Sequence, residues 1–358
     1  MSEKPKLLGI TGNIASGKSV VRQYLENEGA LTIDADLLAQ STYLPGHPAY
    51  QPILDAFGSD LCNSDGQINR SKLGRIVFRD PGALQELEAI VHPQVTLAVD
   101  EIVSRARVNL VVVEAIKLFE ANLHLRCEAV WAVVAEDQVR QERLMSTRGL
   151  SEADALTRIN SQNPQAEKAS RSDYVIHTDI SFESTYSQAI TGLHALNPDP
   201  FLEIHLDNGE AYRPVRPLDF ENARLMLNSF DPQTWSDEEI LRSLGHRSIL
   251  AGFKDDQLAS LTVWKIDHFL GLLQRILPSC TPQSDEVKAV LQIIERNAKQ
   301  HLCDALFIPR DMVSSYTAKI LGYLPGEYYP ADINPFAISN FLRKHGFMPG
   351  EVYLKTQF

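Results

Sequence analysis

The sequence predicts an α/β fold over about its first 195 residues, a parallel sheet flanked by helices, followed by a second, α+β domain. Three observations predict it. The run Leu7-Leu8-Gly9-Ile10 reads as a short buried strand, passes into a glycine loop, and continues as a plausible helix from Val20. Leu110 to Glu114 and Ala129 to Val134 are continuous apolar runs, as expected of strands covered on both faces, with helical segments between them. Beyond Asn197-Pro198-Asp199-Pro200, a cluster of prolines and turn formers, the rhythm changes to short strands mixed with helices.

Taken in order, the loop Gly12-Asn13-Ile14-Ala15-Ser16-Gly17-Lys18-Ser19 fits G-x-x-x-x-G-K-[ST] without a mismatch. In such a loop successive N–H groups turn inward around a phosphate and the next helix adds its positive end. Lys18 would reach the β- and γ-phosphates of a nucleotide, and Ser19 would hold Mg²⁺. Gly29 to Asp36 reads as a turn and a second strand with two carboxylates, Asp34 and Asp36, at its end. Because they lie two apart on a strand, they are expected on opposite sides. One would face an acceptor hydroxyl, and the other would serve the metal shell or cap the helix expected from Leu37. Ligands of a parallel sheet bind beyond its carboxyl ends, so the loop, Asp34, Asp36 and Glu114 should line one crevice. After the fourth strand come Arg140, Arg143 and Arg148 on a helix-like segment, and Thr147-Arg148-Gly149-Leu150-Ser151 reads as a lid tip entering a new helix. Arg140 is expected to be solvated or paired, whereas Arg143 and Arg148 could reach phosphates once the lid closes.

The chain has 358 residues, enough for two domains with separate cores. Its formal net charge of -12 argues against holding nucleic acid by the overall field. The first six residues run straight into the first strand, with no apolar signal segment, and no stretch approaches the roughly 18 apolar residues of a spanning helix. A cytoplasmic protein with no membrane partner is expected. Cys62, Cys127, Cys280 and Cys303 are scattered and form no C-x-x-C pair, so they are read as reduced thiols with packing roles.

These residues carry a family resemblance. The loop Thr11 to Ser19, Ile33-Asp34-Ala35-Asp36, Asp65-Gly66-Gln67-Ile68, His92-Pro93, Leu118-Phe119-Glu120 and Asp173-Tyr174-Val175-Ile176 stand in the order of the dephospho-coenzyme A kinases. Arg143-Leu144-Met145 to Gly149-Leu150-Ser151, Gln162-Asn163-Pro164 and Glu167-Lys168 resemble that family's lid and the helix after it. The resemblance implies a P-loop kinase fold with a helical lid, over residues 1–196. It also implies phosphorylation of the 3′-hydroxyl of dephospho-CoA by ATP with Mg²⁺, the final step of CoA synthesis. Asp36 matches the proposed general base, Arg148 or Arg143 the phosphate clamp, and His92, Asp34 and Glu114 would shape the acceptor side. The chain departs from the family at Asn13 and Ala15, which replace loop glycines, at Ile116-Lys117, and at Ser146-Thr147-Arg148 in the lid. Another P-loop nucleoside or nucleotide kinase, and a nucleotide-responsive regulatory module, are the competing readings.

Residues 197–211 are expected to form a linker and first strand, and residues 212–358 a domain loosely resembling the GCN5-related acetyltransferase fold. Strands are expected at Phe201 to Leu206, at Tyr212 to Val215, twice within Ile249 to Trp264 around a turn at Asp255-Asp256, and at Ala305 to Ile308, and the terminal Phe341 to Phe347 and Val352 to Leu354 resemble that fold's last helix, Gly-Phe turn and last strand. Helices are expected at Asp219 to Phe230 and Glu286 to Gln300. The segment Pro278 to Ser284, where that family has a glycine-containing turn for the acyl-CoA pyrophosphate, has no glycine. The domain is therefore read as a degenerate module for an acyl-CoA or other ligand, the alternative being a bifunctional kinase and N-acetyltransferase. Tyr316 and Tyr323 are read as packing residues.

Overall fold

The computed structural model describes residues 4–196, 204–205, 209–230, 235–246, 248–255, 257–267, 270–278, 285–326 and 335–356. Its elements up to residue 196 are β1 (Lys6–Thr11), α1 (Lys18–Asn27), β2 (Leu31–Asp34), α2 (Ala35–Ser41), α3 (Tyr50–Phe57), α4 (Arg70–Val77), α5 (Pro81–Arg105), β3 (Leu110–Glu114), β4 (Ala129–Val134), α6 (Asp137–Arg148), α7 (Glu152–Asn160), α8 (Gln165–Ser170), β5 (Tyr174–His177) and α9 (Phe182–Leu196). The chain divides into two compact units, Met1–Lys18 with Thr32–Asp179 and Ser19–Leu31 with Ile180–Phe358.

In the first unit the strands lie in the order β2-β3-β1-β4-β5, with β1 parallel to both β3 and β4 and β4 parallel to β5. Leu8, Val112 and Ala132 are fully buried, which is why these strands read as unbroken apolar runs rather than alternating ones. The loop after β1 leaves the sheet between β3 and β4, where the strand order reverses and ligands of open α/β sheets bind. The second strand is shorter than expected. Asp34 accepts a hydrogen bond from the Leu37 N–H at 3.0 Å, so the chain turns helical at Ala35 and Asp36 sits in the first turn of α2. The expectation that Asp34 and Asp36 point to opposite sides of a strand is thereby overturned. Helix α5 keeps its apolar stripe of Val91, Val95, Val99 and Val103 past the internal Pro93.

The second unit adds β6 (Ile204–His205), β7 (Glu210–Pro214), α10 (Phe220–Phe230), α11 (Asp237–Leu244), β8 (Ser248–Lys254), β9 (Gln257–Asp267), β10 (Leu270–Leu277), α12 (Asp285–Gln300), β11 (Ala305–Pro309), α13 (Ser315–Ile320), β12 (Leu324–Pro325), α14 (Pro335–Lys344) and β13 (Val352–Lys355). Its sheet runs β12-β13-β11-β10-β9-β8-β7-β6. The pair β10 and β11 is parallel, and the neighbouring pairs on either side are antiparallel. This is the α+β architecture expected. Successive residues of β11 feed opposite cores, Leu306 and Ile308 joining Leu291 and Ile294 of α12, Ala305 and Phe307 joining Ile338 and Leu342 of α14. Strands β10 and β12 and helices α11 and α13 are not expected from the sequence. Tyr323 is buried in the first of these cores, as expected, but Tyr316 is 72% exposed, so the packing role expected of it is not borne out. Cys62, Cys127 and Cys303 are free thiols. Asn197 to Pro200, Asp256 and Ser279 to Ser284, on which a boundary and two turns were expected, lie outside the described residues.

Candidate active site

The loop between β1 and α1 is shaped by its backbone. Gly12, Ala15 and Gly17 have φ of 154°, 59° and 89°. A Cβ on Gly12 would stand 2.2 Å from the Val133 carbonyl oxygen, so no other residue fits there. Ala15 holds a left-handed conformation without being glycine, at a cost of about 1 kcal/mol. The Ser16 Oγ is buried with no hydrogen-bond partner, a polar atom left for something that the loop would enclose. Asn13 spends its amide on the loop's support, donating to the Asn163 carbonyl at 2.7 Å, while Gln162 accepts from the Ile14 N–H at 2.8 Å.

Helix α6 supplies the arginines, and each is placed differently. Arg140, expected to be solvated or paired, is paired with Asp137 at 2.7 Å yet 2% exposed, and its Nε donates to the Ile14 carbonyl at 2.9 Å. It is a strut beneath the loop. Arg143 is half-buried and donates to the Ala15 carbonyl at 3.2 Å and to the Thr178 Oγ1 and carbonyl at 2.9 and 2.5 Å. Arg148 is exposed in the last turn, close enough for its charge to depress the Lys18 pKa. Gly149, with φ of 63°, ends α6, and Ser151 caps α7 by accepting from the Asp154 N–H at 3.2 Å. Leu144, Ala155 and Ile159 of the two helices form a small core against Ile14 and Ala15, which seats this helical hairpin on the loop.

Lys18 opens α1 and is 7% exposed, its Nζ donating to the Asn13 carbonyl at 3.1 Å. Burial lowers its pKa, opposed by the charges of Glu114, Asp36 and Asp34. The three carboxylates are thus gathered around one lysine. Glu114 closes β3 and is buried, and Asp34 is held by its capping bond to Leu37. Asp36 opens onto solvent, but protein crowds its carboxyl enough for desolvation to raise its pKa. Asp34 raises it further, while the Ile116 N–H at 3.4 Å and Lys18 pull it down. Ser19, next to Lys18, lies exposed in the first turn of α1.

His92 is set among a second group of charges, Glu88, Lys117 and Glu120. It is half-buried on α5, where burial lowers its pKa against the opposing effects of Glu88 and Glu120, with Lys117 adding to the decrease. Lys117 and Glu88 are ion-paired beside it. Between the two groups lies Lys168 of α8, 7% exposed, donating to the Ile116 carbonyl at 2.5 Å. Its charge is felt by both sides, since Glu120 and Lys117 act on it as well as Lys18 and Asp36. No residue pattern in the sequence gives Lys168 a role of its own. A single lysine on a six-residue helix has no periodicity to betray its burial, and only its place in the Glu167-Lys168 motif marked it.

This assembly can bind an anion in a glycine loop, set a carboxylate beside it, and present an exposed cation from a helical hairpin. A family model described as dephospho-CoA kinase matches residues 6–183. A dephospho-CoA kinase of Carboxydothermus hydrogenoformans is 39% identical over 188 residues, 52% of this chain and 91% of that one. One of Moorella thermoacetica is 42% identical over 183 residues, covering 50% and 86%. The crystal structure of the ribosomal-protein-S18-alanine N-acetyltransferase of Escherichia coli aligns with a TM-score of 0.27 at 12% identity, over 40% of this chain and 89% of that one. Similarity that slight carries no argument about the second unit.

Proposed function

Because the chain belongs to the dephospho-CoA kinase family, we propose how its own residues carry the transfer of the γ-phosphoryl group of ATP to the 3′-hydroxyl of dephospho-CoA, giving CoA and ADP. The loop Gly12, Asn13, Ile14, Ala15, Ser16, Gly17, Lys18 and Ser19 takes the phosphates of ATP, its N–H groups and the α1 terminus meeting their charge. Lys18 bridges the β- and γ-phosphates and draws off charge as the bond to the leaving oxygen breaks. Asp36 accepts the proton of the acceptor hydroxyl, which is a poor nucleophile until oriented and relieved of that proton. Its raised pKa, set by desolvation and Asp34, suits a base. Ser19 offers the hard oxygen donor that Mg²⁺ takes, directly after Lys18. The ion would neutralise charge on the phosphates when bound.

Of the two lid arginines, Arg148 is the clamp, because Arg143 is committed to the Ala15 and Thr178 backbone. His92, Asp34 and Glu114 form the acceptor side, Asp34 by fixing the first turn of α2 that carries Asp36. The acceptor is a small molecule, with no nucleic acid or membrane partner. No helix among the described residues is long and apolar enough to cross a membrane. We place the activity in the cytoplasm and in residues 1–196, joined through 197–211 to a degenerate acyltransferase-like module, 212–358, for an acyl-CoA or related ligand. Turnover of acetyl-CoA with mixed amines would overturn the last assignment. The observation that carries the reading is the buried Lys18 amid Asp36, Asp34 and Glu114 at the end of the glycine loop. D36N tests it: ATP binding should persist while phosphorylation of dephospho-CoA falls away.

A further inference from the structure

Lys168 is poorly explained by packing. Burying an ammonium costs several kcal/mol unless it is well paired. Among the described residues its ammonium makes one hydrogen bond, to the Ile116 carbonyl, and the carboxylates of Glu120 and Asp36 act on it only through their charge. That carbonyl already accepts from Thr11 Oγ1 at 3.3 Å. Helix α8 does not need the lysine as an anchor either, since Gln165 exchanges two hydrogen bonds with the Ala135 backbone, at 2.8 and 3.3 Å. What Lys168 does fix is Ile116, the residue two beyond β3 whose N–H meets the Asp36 carboxylate at 3.4 Å. Thr11, at the end of β1, and Lys168 together hold the carbonyl side of Ile116, and Asp36 receives its N–H side.

We propose that Lys168 is a positioning residue for the phosphoryl transfer, aiming the Asp36 carboxylate at the acceptor hydroxyl through the backbone of Ile116. The inference rests on the reading of Asp36 as the base. Lys168 is buried and Asp36 opens onto solvent, so the lysine sets the carboxylate from the protein side while the other face stays open to substrate. A methionine fills the same volume without the hydrogen bond. An arginine keeps both the charge and the reach to the carbonyl.

The test is a double-mutant cycle in the full chain, with ADP release measured at saturating ATP and dephospho-CoA. K168M should lower kcat by about 100-fold, the scale of an ångström's misplacement at a reacting group, and leave the KM for ATP within about three-fold. K168R should recover kcat to within about ten-fold of wild type, because its guanidinium still meets Ile116. In the D36N background K168M should cost less than about two-fold, since the group it aims is gone. Equal losses in the two backgrounds, a loss confined to KM, or a K168R chain as impaired as K168M would overturn the inference. If K168M does not fold, K168R is carried through the same cycle: a loss of kcat that is present with Asp36 and absent in the D36N background supports the inference, and equal losses in the two backgrounds overturn it. A wild-type chain inert on dephospho-CoA fails the underlying reading and the inference with it, whereas an active wild type with additive variants fails the inference alone.

Discussion

Replacing Gly12 with alanine places a Cβ 2.2 Å from the Val133 carbonyl oxygen and 2.7 Å from Ser16 Oγ. Real Cβ atoms essentially never come within 3.0 Å of such a neighbour, so the shortfall at Val133 is at least 3.0 − 2.2 = 0.8 Å. Val133 cannot yield it. It is fully buried in β4 and paired with Ile176 of β5, while β4 is held on its other edge by β1. The loop must therefore move, carrying the N–H groups and Lys18 away from the phosphates by most of an ångström. Overpacking of this kind costs about 1–3 kcal/mol of stability. A displacement near 1 Å at a reacting group costs about 100-fold in rate. The assay is calorimetric ATP binding together with kcat/KM on dephospho-CoA, and G74A is the control. A Cβ on Gly74, in helix α4, meets Phe78 at an ordinary 3.5 Å, so G74A should stabilise by up to about 1 kcal/mol and leave turnover alone. A G12A chain that binds ATP within about two-fold of wild type and turns over normally would refute the role given to the loop.

Three further outcomes are expected. D36N should lower kcat by at least about 100-fold with ATP affinity intact, as measured by ADP release and calorimetry. The Asp36 pKa is raised in the folded chain, so its contribution is favourable below the unfolded value of 3.8 and lost as pH rises through the folded one. The same variant should then melt higher than wild type at pH 7, and a lower Tm would count against the desolvated carboxylate. R148M should lower kcat about ten-fold or more with Tm unchanged, whereas R140M should cost about 2 kcal/mol by removing the strut under Ile14, and the reverse pattern in kinetics and thermal melts would exchange their roles. In the second unit, Glu28 is buried, accepts from the Tyr186 hydroxyl at 3.0 Å, and has its pKa pushed up to about 7 chiefly by desolvation. Its contribution is favourable below the unfolded value of 4.5 and is lost as pH rises through about 7, a difference of about 3 kcal/mol. E28Q should therefore melt higher than wild type at pH 8 and much as wild type does below the unfolded value, and equal melting curves at both pH values would remove Glu28 from the account.

The legible parts of the chain are those where chemistry fixes residue identity or burial leaves a long apolar run. Gly12, Gly17 and Lys18 are constrained by backbone shape and charge, and β3 and β4 by burial on both faces. The start of α2 was not legible in the same way, because Asp34 can end a strand or cap a helix and only its bond to the Leu37 N–H decides. Strand β10, Leu270–Leu277, is an apolar run that fits a buried strand or a helix equally well until it pairs with β9 and β11. Helix α11 did carry a signal, the reciprocal capping of Ser236 and Glu239. At the site, the pattern offers Asp36 and Arg148 as candidates, but the different surroundings of Arg140, Arg143 and Arg148 are not legible in it. Three arginines on one helix look alike until one is found beneath the loop, one tied to Thr178 and one in solvent. Lys168 lay beyond reach because its partner is a backbone carbonyl, which has no sequence.

The glycine loop and Asp36 are proposed to serve one transfer, from ATP to dephospho-CoA. The direct measurement is product formation by the full chain with ATP and Mg²⁺, following ADP and the 3′-phosphorylated product together, with nucleosides offered in parallel. One ADP for each CoA formed, with nucleosides left untouched, is the predicted result. Comparable turnover of a nucleoside with none of dephospho-CoA would contradict the account.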